Sequence, residues 1–191
     1  MCGLVGVFGG DLKFIEEANL AIAHRGPDDC GIYTNESLMI ALGHQRLSIL
    51  DTTHFGHQPM FSKDNKVVLV FNGEIYNYKE LRSDLQRKGY CFKGESDTEV
   101  LLNLYILEGV KMLSKLNGVF AFAIFDENSN TLFMARDALG VKPLYYSTKD
   151  NTFSFASEIK ALLKLTPNNK EIDIKSINRY LSFLWCPGDG T

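Results

Sequence analysis

GVFAFAIFDENSNTLFMARD (residues 118–137) decides the fold. Two runs of aromatic and small apolar residues flank a cluster of Asp, Asn and Ser, the composition of a turn between two β-strands. So short a connection joins antiparallel neighbours, because a parallel pair needs a crossover of a dozen residues or more. The pattern recurs downstream, where PLYYS (143–147) and TFSFAS (152–157) surround a KDN turn.

Upstream, CGLVGVFG (2–9) passes into FIEEANLAIAHR (14–25), whose Phe14, Ile15, Ala18, Ala21 and Ile22 recur at helical spacing. After a GPDDCG loop (26–31), the runs CGIYT (30–34), LMIALGHQ (38–45), RLSILD (46–51) and KVVLVF (66–71) read as strands, with a polar stretch HFGHQPMFSKDN (54–65) before the last. NYKELRSDLQRKG (77–89) reads as a helix closed by Gly89. DTEVLLNLYILEG (97–109) reads as a second, capped by Asp97 and ended by Gly109. Paired strands with helices grouped between them predict an α+β fold of two stacked antiparallel sheets covered by helices.

The 191 residues suffice for one domain with a substantial core, and 45% hydrophobic with 23% charged residues is ordinary for a globular chain. A formal charge of −3 carries no nucleic-acid footprint, and the basic residues from Arg82 to Lys88 sit at the end of a predicted helix, where they complement its dipole. Cysteines 2, 30, 91 and 186 have neither CxxC nor metal-ligand spacing. No signal segment, membrane-length apolar run or repeat is visible, so a cytoplasmic setting is expected. After about residue 165 the character changes to a polar link, TPNNKEID (166–173), an amphipathic IKSINRYLSFLW (174–185) and CPGDGT (186–191). The expected division is a domain over 1–165 followed by a linker and the start of a further domain over 166–191. The alternative is a tail that packs on its own domain.

Cys2 stands directly behind the initiator methionine. Once Met1 is removed, one residue carries both a thiol and an α-amine that titrates near pH 8, so nucleophile and general base coincide. The alternative is a small buried hydrophobe. An amide-cleaving thiol further needs a grip on its substrate and donors for the developing oxyanion. Arg46 offers a guanidinium for a carboxylate, or else sits on a solvated strand edge. The Asn72 side-chain amide and the Gly73 N–H offer oxyanion donors, although spacing alone favours an Asn-Gly hairpin turn. Asp97 offers an anion for a substrate ammonium, or else caps its helix. Together these describe a site for a zwitterionic amino acid with a side-chain amide.

MCGLVGVFG, AHRGPDDCG, HQRLSILD, FNGEIYNY, GESDTEVLL, ARDALGVKPLYY and FASEIKALL, in this order, resemble the glutaminase domain of class II glutamine amidotransferases, specifically the asparagine synthetase branch. The resemblance implies the four-layer αββα sandwich of N-terminal nucleophile hydrolases. It implies that Cys2 attacks the glutamine carboxamide and forms a γ-glutamyl thioester, that Asn72 and Gly73 form the oxyanion hole, and that Arg46 holds the α-carboxylate. Asp97, helped by Glu74, would receive the α-amino group, and Arg46, Leu47, Ser48, Ile49 and Leu50 would line the glutamine pocket. Arg25 and Gly26 lie near the site without a chemical step, and Arg136, Asp137 and Lys142 read as structural or interdomain.

No metal or organic cofactor is implied for the glutaminase step. Relatives of this branch continue into a synthetase domain using ATP and magnesium, whose SGGxDS-type phosphate-gripping segment is missing from this sequence. The partners implied are L-glutamine and that C-terminal synthetase domain, with a homodimer left open. Two alternatives remain: an amidohydrolase acting on an N-acyl compound, and a glutamine-binding module that retains Met1. The ammonia acceptor could be aspartate or a substrate of sugar or antibiotic amidation.

Overall fold

The computed structural model describes residues 1–149, 151–166 and 172–187. The decisive stretch forms β6 (Gly118–Asp126) and β7 (Thr131–Arg136), paired antiparallel from Ala121 opposite Arg136 to Asp126 opposite Thr131. Asn130 closes the turn at φ +48°, a left-handed conformation that Asn tolerates. Along β6 the two faces alternate. Phe120, Phe122 and Ile124 face one apolar cluster, while Ala121, Ala123 and Phe125 face another.

Those two clusters define the layers. One sheet has the order β2 (Asp29–Asn35), β3 (Ile40–Arg46), β1 (Gly3–Phe8), β9 (Thr152–Ala156), β8 (Tyr145–Lys149). The other runs β4 (Met60–Phe61), β5 (Val67–Ile75), β6, β7, and every pair in both is antiparallel. Leu4, Ile40, Leu42 and Phe155 of the first sheet pack against Val68, Val70, Ala121, Ala123 and Phe125 of the second. The outer face of the first is covered by α1 (Ile15–Ala21) and α4 (Ile159–Leu165), through Ile15, Ala18, Leu162 and Leu165. The outer face of the second is covered by α2 (Tyr78–Arg87) and α3 (Asp97–Glu108), through Leu81, Leu85, Leu101 and Leu104. This is the expected αββα sandwich. Gly6 is required where β1 meets β9, because a Cβ there would enter the Phe155 ring and touch Leu42.

Several local expectations are corrected. RLSILD is not a strand: β3 ends at Arg46, because β1 begins opposite Gln45 and β2 begins opposite Arg46, so nothing pairs with the chain beyond. KVVLVF continues to Ile75, which puts Asn72 and Gly73 inside a strand paired to β6 and not in a hairpin turn. Asp97 is not the helix cap. Ser96 is, its hydroxyl accepting the Glu99 N–H at 3.2 Å, while Asp97 is the first helical residue. FIEEANLAIAHR is shorter than expected, with α1 followed by a 3-10 turn at Ala23–Arg25. α5 (Ile174–Phe183) forms as expected and leaves Ile174, Ile177, Tyr180 and Leu181 exposed. Asp150 of the KDN turn, most of the polar link and the last four residues lie outside the described residues.

Candidate active site

Cys2 leads into β1, the central strand of its sheet, and its Sγ lies against the first residue beyond β3. The Leu47 N–H donates to Sγ at 3.4 Å, and Sγ donates to the Leu47 carbonyl at 3.6 Å. Behind it, Arg25 Nε donates to the Cys2 carbonyl at 2.9 Å, and Arg25 Nη1 donates to Glu158 Oε1 at 3.0 Å. Glu158 also accepts from His24 at 2.9 Å and pairs with Lys160 at 3.2 Å. Burial pushes the Glu158 carboxyl upward, but the bonds from Arg25, His24 and Lys160 together outweigh it and hold it at about 2.

The opposite wall is the open edge of β5. β4 covers only Val68 and Leu69, so the outward N–H groups further along must find other partners. The Phe71 N–H donates to Gln58 Oε1 at 2.6 Å, and the Ile75 N–H donates to Asp97 Oδ2 at 3.0 Å. Gly73 falls between them with the same parity, so its N–H faces the cavity that it lines. A side chain at Gly73 would collide with the β6 backbone at Val119 and Phe120. Asn72 is 1% exposed, and its Nδ2 is buried without a hydrogen-bond partner. That leaves an unspent donor beside the Gly73 N–H.

Arg46 ends β3 almost fully buried, and its guanidinium organises the loop that follows. Nη1 donates to the Thr53 carbonyl at 3.3 Å, and Nη2 donates to the carbonyls of Leu50, at 3.2 Å, and Asp51. Gly56 is required here, since a Cβ would enter the guanidinium. The Asp51 carboxylate anchors the same loop by accepting the Glu95 N–H at 2.7 Å, next to the start of α3. Asp97 is 4% exposed. Burial raises its carboxyl to about 6 against the N–H bonds from Ile75 and Thr98, with the neighbouring Glu74 charge adding to the rise.

A cavity of about 110 Å³ opens between these walls. Cys2, Arg46, Leu47, Ile49, Leu50, Asn72, Gly73, Glu74 and Asp97 all line it. Of the sequence-predicted residues, Ser48 stands apart: its N–H donates to Asp28 Oδ2 at 2.8 Å, and it is not in the lining. Five further lining residues were not among the predicted site residues: Met1, Gln58, Phe71, Thr98, and Lys142, which reads from the sequence as structural or interdomain. Gln58 lies in a stretch read only as polar loop. Thr98 directly follows a residue that was recognised, which was the available signal. The Lys142 ammonium donates to Met1 Sδ at 3.7 Å, so Met1 itself covers part of the cavity.

Asp137 Oδ1 and Oδ2 accept the N–H groups of Val141 and Lys142, and Arg136 donates to the Gly140 carbonyl, which folds the loop carrying Lys142. Among the described residues no group of three or more His, Cys, Asp and Glu could hold a metal ion. No helix among them is long and apolar enough to cross a membrane.

A family model described as a glutamine amidotransferase domain matches residues 1–191. Glutamine-hydrolysing asparagine synthetase 1 of Bacillus subtilis (strain 168) is 43% identical over 199 residues, covering 100% of this chain and 31% of that protein. A second relative, putative glutamine-hydrolysing asparagine synthetase 2 of Methanocaldococcus jannaschii, is 41% identical over 98% of this chain and 40% of its own length. The chain thus spans well under half of these relatives. Among solved structures, the glutamine phosphoribosylpyrophosphate amidotransferase of B. subtilis superposes with a TM-score of 0.72 at 26% identity, covering 86% of this chain and 44% of that one. On sequence and on fold alike, this chain belongs to the class II glutamine amidotransferase domain family.

Proposed function

We propose that this domain hydrolyses the side-chain amide of L-glutamine through Cys2 and delivers ammonia to an ATP-dependent synthetase domain. The observation that carries the reading is the convergence, in one cavity, of a thiol, two oxyanion donors, a buried guanidinium and a buried carboxylate. Arg46 supplies the charge that attracts the α-carboxylate, and Asp97, as an anion, receives the α-ammonium.

Removal of Met1 uncovers the cavity and turns the Cys2 nitrogen from an amide into a basic amine. That amine takes the thiol proton as sulfur attacks the carboxamide carbon, and the oxyanion forms against Asn72 Nδ2 and the Gly73 N–H. Collapse of the tetrahedral adduct breaks the C–N bond. The amine's proton goes to the leaving nitrogen, ammonia departs, and a thioester remains. Water, deprotonated by the same amine, then attacks the thioester and yields glutamate and the free thiol.

No metal or organic cofactor enters these steps, and ATP with magnesium belongs to the synthetase domain. The names of the relatives support aspartate as the acceptor, with residues after 165 forming the connection to that domain. The four free cysteines support a reducing, cytoplasmic setting. Intact-mass measurement with a glutamate-release assay tests the proposal. A chain lacking one methionine, with hydrolysis abolished by Cys2→Ala, supports it; a trimmed chain that releases no glutamate refutes it. A second reading, a glutamine-binding module that keeps Met1, is favoured by the position of Met1 over the cavity. It predicts glutamine binding without turnover.

A further inference from the structure

Two polar side chains near the cavity have no part in that scheme. His44 is fully buried between the sheets, in register with Leu4 two residues after the nucleophile. It belongs to the sheet that carries Cys2, yet its Nε2 bonds across to the Phe71 carbonyl of the other sheet at 2.9 Å. Burial pulls its imidazole down to about 4, so the ring is neutral at physiological pH and Nε2 is the donor. Gln58 is 4% exposed, and its two ends differ: Oε1 accepts the Phe71 N–H at 2.6 Å, while Nε2 donates to Thr98 Oγ at 3.4 Å. Thr98 is next to Asp97 in α3.

Both outward backbone groups of Phe71 are thus taken by side chains at the point where β4 no longer covers β5. The Phe71 carbonyl belongs to the peptide whose nitrogen is that of Asn72. Fixing it sets the direction from which Asn72 Nδ2 and the Gly73 N–H enter the cavity. One bond ties that peptide to the nucleophile's sheet, and the other ties the strand to the helix of Asp97.

We propose that His44 and Gln58 are positioning residues that clamp Phe71 and thereby set the oxyanion donors of Asn72 and Gly73 against the Cys2 thiol. The inference rests on the proposed glutaminase reading and adds to it. Neither side chain touches the reacting atoms, so loss of either displaces the donors and leaves the thiol and the grip on the amino acid intact. A displacement of about 1 Å costs on the order of 100-fold in rate.

The test uses the 191-residue chain after removal of Met1, with L-glutamine as substrate and iodoacetamide as a probe of the thiol. Gln58→Met is expected to lower kcat by about 10- to 100-fold, with KM and the rate of Cys2 alkylation within about threefold of the parent. Gln58→Glu, which keeps the acceptor oxygen, is expected to recover most of kcat. His44→Gln, which keeps a donor, is expected to retain more kcat than His44→Leu. Unchanged kcat in Gln58→Met and His44→Leu overturns the inference alone. So does a fall in which kcat and alkylation drop together, because that marks a general loss of structure. If Gln58→Met does not fold, the contrast between Gln58→Glu and the parent, and between the two His44 variants, decides in the same terms. Absence of Cys2-dependent hydrolysis in the parent chain overturns the glutaminase reading and this inference with it.

Discussion

Asp97 Oδ2 accepts the Ile75 N–H at 3.0 Å, so the first residue of α3 caps the end of the strand that carries Asn72 and Gly73. One carboxylate therefore holds the oxyanion strand against the helix and presents charge to the cavity.

The Asp97 carboxyl is raised to about 6, which makes its protonation visible in the activity. If it must be ionised to hold the substrate ammonium, its protonation steepens the fall of kcat/KM for glutamine below about pH 6 by a further factor of about ten per pH unit, added to the decline that protonation of the Cys2 amine brings below about pH 8. The stability effect has the opposite sense. The folded-state value lies above the ordinary 3.8, so the folded chain holds the extra proton, and this group's contribution declines as pH rises from about 4 to about 6. Asp97→Asn is expected to lose glutamine affinity, to remove the added steepness below about pH 6 while leaving the decline set by the Cys2 amine, and to raise stability at pH 7 by about 1–2 kcal/mol. pH–rate profiles and thermal melts of both chains check these outcomes.

Arg46→Ala is expected to raise KM for glutamine by roughly 10- to 100-fold, the worth of hydrogen bonds to a charged group. Lys does not restore it, because the guanidinium also spans the carbonyls of Leu50, Asp51 and Thr53. Gly56→Ala, which pushes on the guanidinium from outside the cavity, moves KM in the same direction. Steady-state kinetics on glutamine decides, and an unchanged KM in Arg46→Ala would favour an N-acyl substrate.

Asn72→Ala separates activity from stability. Its Nδ2 is buried without a partner, so deleting the amide leaves Tm nearly unchanged or higher. The rate is expected to fall by about 100- to 1000-fold, the cost of one oxyanion donor. A large drop in Tm would show that Asn72 holds the fold instead.

Glu158 reaches the nucleophile through Arg25, whose Nε bonds the Cys2 carbonyl. With its carboxyl held at about 2, below the ordinary 4.5, this cluster's stabilisation is complete above about pH 4.5 and is lost as pH falls towards 2. Glu158→Gln is expected to lower kcat with little change in KM, and to melt below the parent at pH 7 while converging with it near pH 2. Melts across pH 2–7 check the convergence.

The layered fold was legible because period-two alternation and short turns are local signals. The hairpin at 118–137 and the buried faces of β6 follow from neighbouring residues alone. The candidate site was partly legible, since Cys2, Arg46, Asn72, Gly73 and Asp97 announce their chemistry by type. Gln58 and His44 do not. A glutamine in a polar stretch and a histidine in an apolar strand acquire a role only when Phe71 is brought between them.

Taken by itself, the order of residues in this chain determined most of the strands and helices, the hairpin pairings of β6 with β7 and of β8 with β9, and which side chains could do chemistry. The tertiary structure decided that Asn72 and Gly73 lie in a strand and not a turn, and that Ser96 rather than Asp97 caps α3. It also decided that Arg46 closes a loop and that the Gly73 N–H of β5 is left facing the cavity that Cys2 also lines. The physical reason is range. Strand and helix signals act over a few residues, whereas Cys2 meets Leu47 across 45 positions and Arg25 meets Glu158 across 133, contacts set by sheet packing and not by local sequence.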